Sequence, residues 1–88
     1  MNMTVSQIGK DGTGYFMGYL SPEKLDKNGL LHDVLAWSID VDYKREKSKL
    51  MTFLFLGGVP QNFKVLKTFN EIIDPQEAER TLKEAGLI

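Results

Sequence analysis

The sequence predicts an α+β fold in which a small antiparallel sheet of about four strands, arranged as two hairpins, packs against two C-terminal helices. Three observations predict it. Two pairs of β-prone runs are separated by turn-forming or polar residues, the run 50–56 is apolar on both of its sides, and Asp74-Pro75 is typical of a helix start. Because the strands precede the helices, we expect the helices to gather on the sheet. The 88 residues are enough for one domain, which we assign to residues 1–88.

The first hairpin is predicted from two β-prone runs, Thr4–Ile8 and Tyr15–Leu20. The glycine-rich segment 9–14 between them contains Asp-Gly, which adopts positive φ at low cost and is typical of hairpin turns. A strand and not a helix follows these glycines, so the segment lacks the helix N-terminus that a phosphate-binding loop requires. We therefore interpret it as a turn.

The second hairpin is predicted from Leu35–Tyr43 and Leu50–Leu56. The first of these runs alternates between apolar and polar residues, with the period of two that is typical of a half-buried strand. Residues 44–49 between the two runs are polar and mostly basic. The second hairpin is therefore expected to have a basic tip.

The run Leu50–Leu56 has no polar face. Its alternating positions divide into one set with Met51, Phe53 and Phe55 and a second set with Leu50, Leu54 and Leu56. Leaving three leucines in water would cost about 5 kcal/mol, which is comparable to the whole stability of a small domain. Helices can cover one face. The other is covered either by the N-terminal hairpin, curled over into a barrel-like sheet, or by a second copy or another partner.

Helices are predicted in three places. The tripeptide Ser21-Pro22-Glu23 is typical of the start of a short helix. Residues 60–73 place their apolar side chains within a sector of about 120° when drawn as a helix. Drawn as a strand, the same segment has a shared apolar face that Lys67 interrupts, so we predict a helix there. Asp74-Pro75 begins the last helix, because Asp caps well and Pro suits the first helical position.

Composition excludes several classes of function. The chain contains no cysteine, so disulfides, thiolate nucleophiles and cysteine-ligated metals are excluded. A net charge of −1 is not typical of a strongly basic nucleic-acid-binding surface. The N-terminus lacks the apolar segment of a signal peptide, and no apolar run approaches the ~20 residues of a membrane span. We expect a cytoplasmic protein that does not enter a membrane.

Catalytic residue types are scarce. The single histidine, His32, cannot form a metal site without further ligands, and no serine lies in a sequence typical of a nucleophile. Asp40 and Asp42 share one strand face, where they are expected to be solvated. We therefore predict no catalytic residue, no metal site and no cofactor. If the protein is an enzyme after all, these three residues are the candidates.

Two functions remain. The first is a non-enzymatic protein-interaction module, meaning a small regulator, inhibitor or accessory subunit that binds a protein partner or forms a homodimer. Its predicted partner-binding residues are Tyr15, Tyr19, Met51, Phe53 and Phe55. The alternative is a protein that binds single-stranded nucleic acid through its basic hairpin tip 44–49 and nearby aromatic residues. The residues predicted for that alternative are Lys44, Arg45, Lys47, Lys49, Lys64 and Lys67.

Overall fold

The computed structural model describes the backbone of residues 2–8 and 12–88 and the side chains of residues 12–88. Its described part is an antiparallel sheet of five strands, in the order β1-β2-β3-β4-β5, followed by one helix. The elements are β1 Asn2–Ile8, β2 Thr13–Tyr19, β3 Val34–Asp42, β4 Lys47–Leu56, β5 Val59–Phe69 and α1 Pro75–Glu84. The predicted α+β class is confirmed, as are the four predicted strands, which form β1–β4. The glycine-rich turn was predicted over residues 9–14, and its residues 9–11 lie outside the described part.

The helix predicted over residues 60–73 is wrong, because residues 60–69 belong to β5. Gly57 and Gly58 both have positive φ, at 61° and 79°, and they form a tight two-residue hairpin turn that starts the strand. The register of β5 against β4 then shifts twice, between Leu50 and Met51 and between Thr52 and Leu54. Each shift inserts an extra residue, so the apolar residues of β5 do not keep a period of two. The sequence pattern therefore does not indicate a strand over these residues.

The short helix predicted to start at Ser21 does not form. The Ser21 hydroxyl instead accepts a hydrogen bond from the Leu35 N–H (2.9 Å), so it holds the start of β3. The Asp26 carboxylate accepts hydrogen bonds from the N–H groups of Asn28 (2.8 Å) and Leu30 (3.0 Å). Such local side-chain bonds offer the backbone an alternative to helical hydrogen bonding. The β2–β3 connection is consequently an irregular loop.

The helix α1 covers one face of the sheet, as predicted. It begins where Asp74 caps the N–H of Glu77 (2.9 Å), and Pro75 is its first residue. The buried residues beneath it are Trp37, Ile39, Val41, Leu50, Phe69, Ile73, Ala78 and Leu82. The β3 residues among them follow the alternation that the sequence predicts. We call this face the helix side of the sheet.

The other face carries a second buried cluster, composed of Val34, Ala36, Phe53 and Phe55. Strand β4 therefore buries apolar residues on both sides, in the two alternating sets that the sequence predicts. The barrel-like closure is wrong, because β1 and β5 are the two edges of an open sheet. Each strand lies beside its sequence neighbour in the sheet, and β5 occupies the free edge of β4. The N-terminal hairpin consequently stays in the plane of the sheet.

Ser48 fixes the connection between β5 and α1. Its buried hydroxyl donates a hydrogen bond to the carbonyl of Glu71 (2.7 Å) and accepts one from the N–H of Ile73 (3.3 Å). Both bonds join β4 to the chain just before the helix, and they bring Ile73 into the core. One small side chain thus orients α1 over the sheet.

We expect Ser48→Ala to lower the free energy of unfolding by about 1–3 kcal/mol, because a buried N–H and a carbonyl lose their partner. Urea unfolding followed by circular dichroism measures this change. Ser38→Ala is the matched control, since Ser38 is also buried on a strand but makes no hydrogen bond through its hydroxyl to the described residues. Equal losses in the two variants would contradict the assigned role of Ser48.

Candidate functional site

The face of the sheet opposite α1 carries the candidate site, and we call it the open face. Directly paired residues of antiparallel strands point to the same side, so the register assigns its members. On β2 and β3 they are Thr13, Tyr15, Met17, Tyr19, Val34, Ala36, Ser38, Asp40 and Asp42. On β4 and β5 they are Lys47, Lys49, Met51, Phe53, Phe55, Pro60, Phe63, Val65 and Thr68.

One half of the open face is apolar and aromatic. Phe53 and Phe55 form its floor and are only 5% and 9% exposed. Tyr19 contacts Phe55 edge to face, with the ring centroids 6.1 Å apart. Phe63 of the edge strand stacks on Phe53 with the centroids 4.9 Å apart, yet 52% of its surface is exposed. Val65, on the same strand, is 54% exposed. This half is therefore an aromatic floor with exposed apolar side chains at its β5 edge.

The other half of the open face is polar and concave. Acidic residues lie on β3 and basic residues lie directly opposite them on β4, where Asp40 pairs with Lys49 and Asp42 with Lys47. Tyr15 of β2 lies beside Asp40. Together they line a cavity of about 590 Å³. The charges of this half are therefore arranged in two columns of opposite sign.

All five predicted partner-binding residues lie on the open face. Tyr15, Tyr19 and Met51 are half-buried, whereas Phe53 and Phe55 are buried in the floor. Among the side chains that the structure describes on β2–β5, the large apolar residues of the face that are exposed are Phe63 and Val65, which the sequence analysis missed. Phe63 and Val65 are two residues apart, as expected for side chains on one face of a strand. That pattern was set aside because the apolar residues of 60–73 also fit one sector of a helix.

The six basic residues predicted for nucleic-acid binding do not lie on one surface. Lys44 and Arg45 lie in the β3–β4 turn, and Lys47 and Lys49 lie on the open face. Lys64 pairs with Thr52, and Lys67 pairs with Leu50, so both belong to the helix side. The Lys67 ammonium lies 5.0 Å from the centre of the Phe69 ring there. The structure thus divides these cations between the two faces and the turn.

Arg45 is bound to an acid of its own hairpin. Its guanidinium donates to the Asp42 carboxylate over 2.7 Å, and the N–H groups of Lys44 and Arg45 donate to the other oxygen over 3.1 Å each. The side-chain hydrogen bond from Arg45 lowers the pKa of Asp42, and the backbone bonds lower it further. The same ion pair raises the pKa of Arg45. Much of the positive charge of this residue is therefore compensated at the hairpin tip.

The three residues named as catalytic candidates are not brought together. The Nδ1 atom of His32 accepts a hydrogen bond from the Gly57 N–H (3.0 Å), so the histidine lies at the β4–β5 turn. Asp40 and Asp42 lie toward the opposite end of the β3–β4 hairpin. In the part of the chain that the structure describes, no three His, Cys, Asp or Glu residues are grouped so as to hold a metal ion. The arrangement gives His32 a structural role in fixing the β2–β3 loop.

Comparisons with known proteins add no assignment. No protein-family model, no curated protein and no solved structure matches this chain. Within residues 2–8 and 12–88, no helix has the length and apolar character needed to cross a membrane. The geometry of the described residues therefore carries the functional argument.

The Asp42–Arg45 pair is open to a direct test. We expect Arg45→Gln to raise the pKa of Asp42 toward its ordinary value, because the variant removes the main hydrogen bond and the adjacent positive charge. A pH titration followed by NMR of the carboxyl carbon measures it. Since the folded pKa lies below the unfolded one, the pair stabilises the wild type above about pH 4, and this contribution is lost as the pH falls.

Lys44→Gln is the control for this titration. It removes a neighbouring charge but keeps the backbone hydrogen bond that Lys44 donates to Asp42. We expect a smaller rise in the pKa of Asp42 than in Arg45→Gln. An unchanged Asp42 pKa in Arg45→Gln would show that the ion pair does not persist in solution.

Proposed function

We propose that this protein is a non-enzymatic interaction module, a small regulator, inhibitor or accessory subunit, that binds another protein chain through the open face. One observation carries the proposal. The apolar half of that face displays Phe63 and Val65, each more than half exposed, above a floor of buried phenylalanines. Among the described residues, the β2–β3 loop contributes Leu31 to this half and leaves both of these side chains in water.

The composition of the open face supports a protein partner. A sheet face that stays in water usually carries polar residues, whereas this one carries phenylalanine, tyrosine, methionine and valine. Aromatic residues and methionine are enriched at the centres of protein–protein interfaces, where they supply most of the binding energy. Clustered exposed apolar side chains on a soluble domain are typical of an interaction site.

The shape of the molecule supports the same proposal. The accessible surface is 5713 Å². A protein of this mass is expected to expose about 5,200 Å². The radius of gyration is 13.3 Å. A compact chain of this length is expected to have about 12 Å. The fold therefore exposes more surface and is more extended than a compact domain of this length, which leaves more surface for a partner.

Single-stranded nucleic acid is the competing partner. Lys47 and Lys49 lie on the open face beside Tyr15, which is the combination of cation and aromatic ring that such ligands use. Asp40 and Asp42 lie in the same cavity, however, and would repel phosphates there. The interleaved acids favour a protein partner over nucleic acid.

A pair of matched variants tests the proposal. Phe63→Asp places a charge on the open face, whereas Val59→Asp places one on the helix side of the same strand, at a site of similar exposure (54%). Tagged wild-type protein and both variants are used to capture proteins from lysate of the source organism, with and without nuclease treatment. We expect at least one protein, an untagged copy of this chain included, to bind the wild type and Val59→Asp in both lysates and to be lost from Phe63→Asp.

Two results would overturn the proposal. The first is capture of the same proteins by Phe63→Asp and the wild type, which would show that the open face is not the binding surface. The second is loss of all captured proteins on nuclease treatment, together with salt-sensitive binding of single-stranded oligonucleotides in fluorescence anisotropy. That combination would identify the protein as a nucleic-acid-binding module.

A further inference from the structure

We infer that the partner of the open face is a second copy of this chain, packed face to face about a two-fold axis that runs parallel to the strands between β3 and β4. The inference rests on the proposed function and names its partner. Rotation about this axis places β3 of one copy over β4 of the other and leaves every residue at its own height along the strands. Each cross-strand pair within the sheet then becomes a facing pair between the copies.

The charges of the open face are complementary under this rotation. Asp40 is paired in register with Lys49, and Asp42 with Lys47. The axis therefore places the acids of β3 in one copy over the lysines of β4 in the other. Both lysines are exposed, and neither they nor Asp40 form a salt bridge with any residue that the structure describes. These charges are consequently available to pair between two copies.

The floor of the apolar half is already packed within each copy. On β4, Phe53 and Phe55 are large, and their register partners on β3, Ala36 and Val34, are small. Val34 and Ala36 are fully buried, and Phe53 and Phe55 are at most 9% exposed. These four side chains therefore form a filled floor within each copy, and the apolar contacts between the copies come from the more exposed side chains beside them.

Phe63 and Val65, the exposed apolar side chains of the open face, are covered in this arrangement. The rotation places β5 over β2 of the other copy. Val65 pairs with Met51, Met51 pairs with Ser38, and Ser38 pairs with Met17 of β2. Val65 and Met17 are therefore at the same height along the strands, and Val65 faces Met17 of the second copy. Phe63 stacks on Phe53 and faces the region of Tyr19 in the same way. These two exposed side chains of the open face become contacts at the two sides of the interface.

Only this orientation of the axis places the apolar half of one copy on the apolar half of the other and the charged half on the charged half. A two-fold axis across the strands would place the charged half of each copy on the apolar half of the other. That would bury Asp40 and Lys49 against phenylalanines without partners, and unpaired buried charges are strongly unfavourable. The division of the open face into two halves therefore selects the axis parallel to the strands.

The available area is sufficient for a specific dimer. Strands β2–β5 span about 19 Å across and about 30 Å along the strands, which gives about 570 Å² per copy and about 1,100 Å² in total. Specific interfaces generally exceed about 1,000 Å². A net charge of −1 per chain adds little repulsion between the copies. An interface of this size is expected to give a reversible dimer.

Charge reversal at one facing pair tests this geometry. Asp40→Lys places lysine against Lys49 of the second copy, and Lys49→Glu places glutamate against Asp40. We expect each variant alone to weaken self-association by about tenfold or more, since like charges face each other twice per dimer. An equimolar mixture of the two should dimerise as tightly as the wild type, because both facing pairs of the heterodimer are again opposite in sign. Sedimentation equilibrium measures the association, and differently tagged copies identify the heterodimer.

Two control variants accompany the test. Lys64→Glu reverses a strand lysine on the helix side, and Glu84→Lys reverses an exposed acid at the end of α1. Neither should change self-association, and circular dichroism verifies that all variants are folded. A charge reversal that only disturbed its own fold would not be rescued by mixing, so rescue is specific to contacts between copies.

The outcomes separate this inference from the proposed function. A wild type that stays monomeric at millimolar concentration overturns the dimer, and so does a dimer that neither charge reversal weakens. In either case the proposed function stands if the capture of another protein still depends on Phe63. Loss of both the dimer and the Phe63-dependent capture overturns the two together. Weakening in each variant with rescue on mixing supports the dimer and its axis.

Discussion

Strand β4 buries apolar side chains on both of its sides, and the arrangement of the molecule depends on this two-sided burial. On one side Leu50 lies beneath α1, and on the other Phe53 and Phe55 form the aromatic floor. A strand with this requirement cannot be an edge of the sheet, since neighbouring strands must extend both apolar layers. Both β3 and β5 flank it, and β3 contributes residues to both clusters. The single helix can cover one layer only, so the second layer is the origin of the open face.

The elements that the sequence predicts well are those whose signals are local. The alternation in β3 and the cap of α1 at Asp74 are each contained in a few consecutive residues, and the structure contains both. Strand β5 was missed because its pairing with β4 shifts at two places. Each inserted residue moves the following side chains to the other face, so the period of two disappears. The resulting spacing of the apolar residues resembles that of one sector of a helix.

The candidate site could be predicted in part for the same reason. Period two alone places Met51, Phe53 and Phe55 on one face of β4, and the hairpin register adds Tyr15 and Tyr19 from the next strands. How far each of these side chains is exposed could not be predicted, because it depends on which face of the sheet the helix covers. Nor could the sequence predict the hydroxyl bonds of Ser48, since its partners lie 23 and 25 residues further along the chain. Contacts at such separations follow from tertiary packing and leave no local pattern.

The β5 edge of the sheet carries features that disfavour strand addition. β5 is an edge strand of eleven residues, and a long, regular edge would invite pairing with another chain. This edge is interrupted by Pro60, by two register shifts, and by the positive φ of Asn62 (58°). Proline, bulges and edge lysines are the features with which natural sheets prevent edge pairing. We therefore expect a partner to contact the apolar side chains of β5 through the open face and not by adding a strand to this edge.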